Sequence, residues 1–291
     1  MITTRPETFD AIVVGSGAGG GFAAMGLAEA GMRVLLLERG RRFEPRRDFP
    51  MNHPDWELRP RAFRDTEVSP GGDASLVLED GVALDPRYAH LRSSRTPGER
   101  PKASQRAPFR YERVFGLGGT TLHYQGEAHR FSDHAFRPAS LYGFGVDWPV
   151  SYAELAPYYE RAEHVLGVAG DAANPFKPSR GPFPTPAHKL SYASQRIATG
   201  ATKLGWALLP NSLALPTRSI DARPPCQRSG GCVQGCIFGA KSSVDLTAIR
   251  RAEATGRLQV QTESRVLALE MGQDGRVDGV VYRRANSDYR V

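Results

Sequence analysis

The feature that most constrains this chain stands at its very start. Phe9 to Val14 (FDAIVV) is a short apolar run ending in glycine, the pattern of a strand buried in a parallel sheet. Gly15-Ser16-Gly17-Ala18-Gly19-Gly20 follows and fits G-x-G-x-x-G. Phe22 to Ala30 then reads as a helix closed by Gly31, and Arg33 to Leu37 (RVLLL) as a second buried strand. The spacing predicts a βαβ dinucleotide-binding unit over residues 1–40. Gly15 permits the sharp turn out of the strand, Gly17 lets the backbone approach a pyrophosphate, and Gly20 lets the helix pack closely on the sheet. Amide groups and the positive end of the helix dipole then face the phosphates. Glu38 ends the second strand, where it can accept hydrogen bonds from both ribose hydroxyls while its charge disfavours a 2′-phosphate; Arg39 beside it joins the same candidate site. The fingerprint does not separate FAD from a nicotinamide cofactor, and its place at the head of the chain favours FAD.

The rest of the chain is expected to complete an α/β fold of Rossmann type with irregular insertions. Residues 41–110 are rich in Pro, Arg, Asp and Gly, too long for a simple connection, and read as an excursion that covers the cofactor. Residues 111–291 read as the remainder of the cofactor domain with partial substrate-domain elements. Within them Ser151 to Leu166 is expected to be helical. Ser151 is its cap, Glu154 completes a capping box, and Leu155, Tyr158, Tyr159, Ala162 and Leu166 share one face. Asn174 to His188 reads as a Pro-rich loop, and Ser191 to Leu204 and Val244 to Ala254 as helices. Arg257 to Thr262, Arg265 to Met271 and Val277 to Arg283 read as strands, the last two joined by a turn at Gln273-Asp274-Gly275.

The net charge of +7 comes from arginines spread through loops, without the basic stripe and interleaved aromatics of a nucleic-acid surface, so no nucleic-acid partner is expected. No run approaches the roughly 20 apolar residues that span a bilayer. Only Met1 to Thr8 precede the first strand, with no secretory h-region, so a cytoplasmic place is expected from the sequence alone.

A second glycine motif decides the cofactor. Val114-Phe115-Gly116-Leu117-Gly118-Gly119-Thr120-Thr121-Leu122-His123-Tyr124 resembles the signature of the glucose–methanol–choline (GMC) oxidoreductases, as does Phe144-Gly145-Val146-Asp147-Trp148-Pro149 with the Ser151 helix behind it. The resemblance covers nearly the whole chain. It implies that Gly118, Gly119, Thr120 and Thr121 contact FAD, that His123 or Gln125 lies near the flavin ring, and that Val266 holds the adenine through its backbone. It also implies a sugar, polyol or sugar-acid substrate oxidised at a CH–OH group, with electrons passed to a cytochrome or quinone. The alternatives are an alcohol oxidase that uses oxygen and a non-catalytic FAD-binding fragment.

Cys226, Cys232 and Cys236 give C-x5-C-x3-C in a glycine-rich loop. Three thiolates suit a 3Fe–4S cluster and fall short of the four usual for a 4Fe–4S cluster or structural zinc; thiols with no metal are the other reading. The spacing is similar to that of bacterial FAD-dependent glucose dehydrogenase catalytic subunits, though Gln227 stands where those can carry a further cysteine. That likeness implies a small subunit and a cytochrome c subunit as partners, and a periplasmic or membrane-associated place reached through an exported partner. The family's catalytic histidine and its partner lie in a C-terminal part that nothing here matches. No catalytic residue is therefore assigned, the C-terminal substrate-domain segments are expected to be missing, and the chain is expected to be a truncated N-terminal part.

Overall fold

The computed structural model describes residues 2–49, 114–175 and 181–291. In chain order its strands are β1 (Ile2–Thr4), β2 (Ala11–Val14), β3 (Val34–Leu37), β4 (Ala169–Gly170), β5 (Thr185–Pro186), β6 (Leu258–Gln261), β7 (Arg265–Met271), β8 (Val277–Arg284) and β9 (Ser287–Arg290). Its helices are α1 (Ala18–Glu29), α2 (Pro45–Asp48), α3 (Pro138–Tyr142), α4 (Tyr152–Leu166), α5 (Tyr192–Lys203) and α6 (Ala248–Ala254). They fall into two compact units that interleave along the chain. One takes Met1–Tyr124, Arg228–Ile237 and Ser243–Val291, the other Gln125–Gln227 and Phe238–Ser242.

The first unit is built on β3. Its apolar run is buried throughout because parallel β2 and β6 flank it and both its faces are covered. Leu35 and Leu37 meet Val280 and Tyr282 of β8, with Phe9, Ile12, Val266 and Tyr289 packed around them. The pleat sends Val34 and Leu36 to the other face, toward α1. Each such side chain contributes about 1.5–3 kcal/mol when fully buried. The helix α1 starts at Ala18 with Gly17 as its N-cap, inside the glycine motif rather than at Phe22 as expected. It ends where Gly31 takes φ +90°.

The helix expected over Val244 to Ala254 is broken in two. Val244–Leu246 forms a 3-10 turn, and Thr247 at φ −120° and ψ −96° separates it from α6. Thr247 Oγ1 donates to the Ser243 carbonyl at 3.0 Å, a side-chain bond that competes with helix formation. A second sheet runs β1-β9-β8-β7. The β7–β8 hairpin forms at the expected turn. β8 and β9 reverse through Ala285 and Asn286, both at positive φ, as a two-residue hairpin requires. β1 and β9 were not legible beforehand, because ITT and SDYR are short and carry no apolar alternation; parallel backbone pairing defines them.

Of the excursion expected over 41–110, Arg41 to Phe49 is described and the rest lies outside the described residues. Phe43 and Phe49 join Val114 and Leu122 in a small core. Asp48 on α2 is mostly buried, and burial alone would raise its carboxyl. Hydrogen bonds from Arg47, from the Glu44 amide (2.7 Å) and from Arg41 outweigh this and hold it well below the usual carboxylate range. A carboxyl depressed in the folded state adds stability that is present above its unfolded value, about pH 4, and is lost as pH falls from there. Asp48→Asn is therefore expected to flatten the stability–pH curve below about pH 4 while lowering stability at neutral pH. Urea melts at a series of pH values check this, and an unchanged acid slope would count against it.

In the second unit α4 carries the expected capping box. The Ser151 amide donates to Glu154 Oε2 at 2.8 Å, and Ser151 Oγ accepts from the Glu154 amide at 3.3 Å. Its inward face differs from the apolar one expected. Tyr158 is exposed, and the buried position one turn beyond Tyr159 is Glu163. The reason is Arg130, which pairs with both Glu163 oxygens (2.9 and 2.8 Å), donates to Tyr152 Oη (3.1 Å) and lies over the Tyr159 ring. The Glu163 hydrogen bond leads in raising the Arg130 pKa above its ordinary value. Buried Arg223 donates to the Leu166 carbonyl at the end of α4, where a cation meets the negative end of the helix dipole.

Asp147 accepts from the Ala139 and Ser140 amides, so it caps α3, the helix before it in sequence. α5 forms within the stretch expected to be helical, and Ser191 caps it. The Pro-rich loop contributes the short pairing of β4 with β5. Among the described residues no helix is long and apolar enough to cross a membrane.

Candidate cofactor site

Of the predicted nucleotide-binding residues all but Gln125, which belongs to the second unit, lie in the first unit, and its backbone gathers the two glycine motifs. Gly15, at φ +88°, donates its amide to the Leu37 carbonyl (2.8 Å), which ties the turn to β3. A Cβ on Gly20 would lie 1.9 Å from the Gly15 carbonyl oxygen, so α1 can start this close to the strand only without one. At Gly15, Gly17 and Gly19 a Cβ would meet nothing within 4 Å. Those three positions face open space, the cradle that a bulky group would fill. The first amide bonded within α1 is that of Gly21, to the Gly17 carbonyl. The amides of Ala18, Gly19 and Gly20 therefore precede the helical ladder at its electropositive end.

The second motif closes on the first. Gly119 sits at φ +56°, and a Cβ on it would lie 2.9 Å from Gly17 Cα, so the two backbones are in contact. Thr120 is exposed beside them, and Thr121 and His123 are half-buried. Thr121 Oγ1 donates to the Gly118 carbonyl (2.6 Å) and accepts from the Val244 amide (3.0 Å), so its hydroxyl braces the turn. Gly118, at φ +103°, rests against the Asp245 carboxylate. Ser16 is fully buried, with its hydroxyl turned to Glu38 and to Gly118. Glu38 is buried too: its Oε2 accepts from the Ser16 amide (3.0 Å) and hydroxyl (2.5 Å), and Oε1 from the Gly40 amide (2.8 Å). A carboxylate has about four acceptor positions. The one left on Oε1 suits one ribose hydroxyl, where the sequence suggested two.

A family model described as "FAD binding domain" matches residues 10–46, the segment that builds this cradle. The chain is 29% identical over 284 residues to 2-methyl-1,2-propanediol dehydrogenase of Mycolicibacterium austroafricanum, covering 97% of this chain and 46% of the relative. It is 27% identical over 278 residues to the fructose dehydrogenase large subunit of Gluconobacter japonicus, covering 94% of this chain and 48% of the relative. These likenesses are to the GMC oxidoreductase family, over its FAD-binding N-terminal part. The crystal structure of pyridoxine 4-oxidase from Mesorbium loti shares the fold, with a TM-score of 0.53 at 18% identity over 98% of this chain and 48% of that one. The chain spans about half the length of the curated relatives it matches.

The remaining candidates group around Glu38. The Ser264 amide donates to the Glu38 carbonyl (2.8 Å) and the Glu263 amide to the Gly40 carbonyl (2.9 Å), which sets the start of β7 beside the carboxylate. Val266 follows there; its side chain packs into the core and its strand pairing shifts register directly after it. The exposed Arg39 holds its guanidinium 3.9 Å above the centre of the Phe115 ring.

The cluster expected at the cysteines finds no support. Among the described residues no three His, Cys, Asp or Glu side chains are grouped so as to hold a metal ion, and none of the three cysteines is in a disulfide. Cys226 falls in the second unit, its amide bonded to the Pro216 carbonyl, while Cys232 and Cys236 fall in the first. Between those two the chain folds as a 3-10 turn, and Gly235 lodges against the Phe49 ring. Nothing here supports a 3Fe–4S cluster, and no iron chemistry is assigned.

Several contacts that shape the site went unread in the sequence. A Cβ on Gly21 would lie 2.0 Å from Val244 Cγ1, one on Gly40 2.0 Å from the Phe115 backbone, and one on Gly116 2.1 Å from the Phe43 ring. The third consecutive glycine after Gly19 and Gly20 was the one available sign for Gly21. Asp245 left none.

Proposed function

We propose that this chain is the FAD-binding part of an oxidoreductase that oxidises a CH–OH group of a sugar, polyol or sugar acid and passes the electrons to a cytochrome or quinone. The observation that carries it is the contact of Gly119 with Gly17 beside an open cradle at the N-terminus of α1. FAD, when bound, supplies the redox chemistry by accepting a hydride from the carbinol carbon. The residues here bind and orient. The amides of Ala18 to Gly20 meet the diphosphate, the free acceptor position of Glu38 takes a ribose hydroxyl, and the backbone at Val266 meets the adenine. Gly118, Gly119 and Thr120 flank the flavin side, with His123 near the ring. The dehydrogenase reading and the idea of partner subunits draw support from relatives named as dehydrogenases, one of them a large subunit.

Flavin uptake tests the binding. The purified chain is expected to turn yellow with FAD and to release heat of binding in calorimetry; a colourless, silent chain would sink the proposal. Dye reduction against oxygen consumption, measured with sugars and polyols on protein that carries this chain, separates dehydrogenase from oxidase.

A further inference from the structure

We infer that Ser16 is a positioning residue that joins the ribose carboxylate to the second glycine motif, so that both halves of the FAD site form one hydrogen-bonded body. The inference rests on the FAD reading above and goes beyond it. Ser16 is the second residue of the fingerprint, a position with no assigned task in the glycine logic, yet it is completely enclosed. A hydroxyl has one proton to give and lone pairs to accept with. The 2.5 Å contact with Glu38 Oε2 takes the proton, and the 3.4 Å approach to the Gly116 carbonyl is then too long to compete for it. The lone pairs face the Gly118 amide, which donates at 3.0 Å across a separation of 102 residues.

The chain of bonds thus runs from the Glu38 carboxylate through Ser16 to Gly118. Gly118 is the residue at φ +103° whose neighbour Gly119 touches Gly17. The Gly40 amide holds the other carboxylate oxygen. A hydrogen bond to a charged group, followed by a bond to a buried amide, is the strong and costly-to-break kind. Removing the hydroxyl takes from the buried Gly118 amide its acceptor and leaves Glu38 Oε2 held by the Ser16 amide alone. The Ser16 hydroxyl is fully enclosed and its partners are Glu38 and Gly118, so it acts through them.

A double-mutant cycle on the 291-residue chain tests this, with FAD affinity read by quenching of flavin fluorescence and the Gly118 amide by hydrogen exchange. Ser16→Ala is expected to weaken FAD binding about tenfold or more, Glu38→Gln by a similar factor, and the pair by clearly less than the product of the two. The Gly118 amide should exchange faster in Ser16→Ala without any FAD present. Ser16→Cys, which fills the same space with a weaker donor, should fall between Ser and Ala, and it replaces Ser16→Ala in the cycle if that variant does not fold. Wild-type affinity in Ser16→Ala, or factors that simply multiply, overturns the inference. Failure of the wild-type chain to bind FAD instead overturns the functional reading beneath it.

Discussion

Arg130→Leu and Glu163→Leu are each expected to destabilise the second unit by about 3–5 kcal/mol, a large part of a domain's usual 5–15 kcal/mol. Both side chains are only 6% exposed, so neither charge has water to fall back on once its partner is gone. The geometry is the bidentate guanidinium–carboxylate fork, with Tyr152 Oη taking a third guanidinium hydrogen. The double variant Arg130→Leu, Glu163→Leu should recover much of the loss, because replacing a whole buried pair with apolar groups is often close to neutral. With the Arg130 pKa raised, the guanidinium's share is fully present below its ordinary value and fades only at more alkaline pH than a folded protein tolerates. The penalty should therefore hold steady from neutral to mildly alkaline pH. Urea denaturation of the three variants decides it: single losses under about 1 kcal/mol would mean that the pair is effectively hydrated, as surface pairs are.

What could be read from the sequence follows the range of the forces involved. The capping box at Ser151, the hairpin turn before β8 and the buried runs of β2 and β3 are set by neighbours within a few residues, and each formed where its pattern stood. Tyr158 misled because helical periodicity marks a face as apolar without saying what it meets; here the partner is Arg130, and the seam runs through Glu163. At Thr247, where the expected helix breaks, the hydroxyl bonds the Ser243 carbonyl, a competition that the apolar pattern does not mark. In the site, the roles of Gly15 and Gly20 came from the turn itself. The fits of Gly40 against Phe115 and of Gly116 against Phe43, and the bond from Ser16 to Gly118, join segments about a hundred residues apart or separated by the long excursion. Such contacts impose no local period.

Gly17→Ala and Gly20→Ala should fail in different ways, although they differ by one methyl each within four residues. Gly17 has φ −64°, a conformation open to alanine, and its added Cβ would touch nothing within 4 Å. Folding should suffer only by the loss of a glycine N-cap, within about 1 kcal/mol. That methyl projects into the cradle, however, where it would hold a diphosphate away from the amides of Ala18 to Gly20. Losing even two charge-assisted bonds at about 1.5–3 kcal/mol each weakens FAD binding by about a hundredfold or more. Gly20→Ala sets its Cβ 1.9 Å from the Gly15 carbonyl oxygen, a backbone atom that can yield only if the turn or α1 moves. It should cost about 1–3 kcal/mol of stability or more and lose FAD affinity as a consequence of the displaced helix. Denaturation curves and FAD titrations on both variants separate the cases. A Gly17→Ala chain that folds normally and still binds FAD at parental strength would show that the diphosphate does not lie in this cradle, whereas an unfolded one would show that the space beside Gly17 is needed by the protein itself.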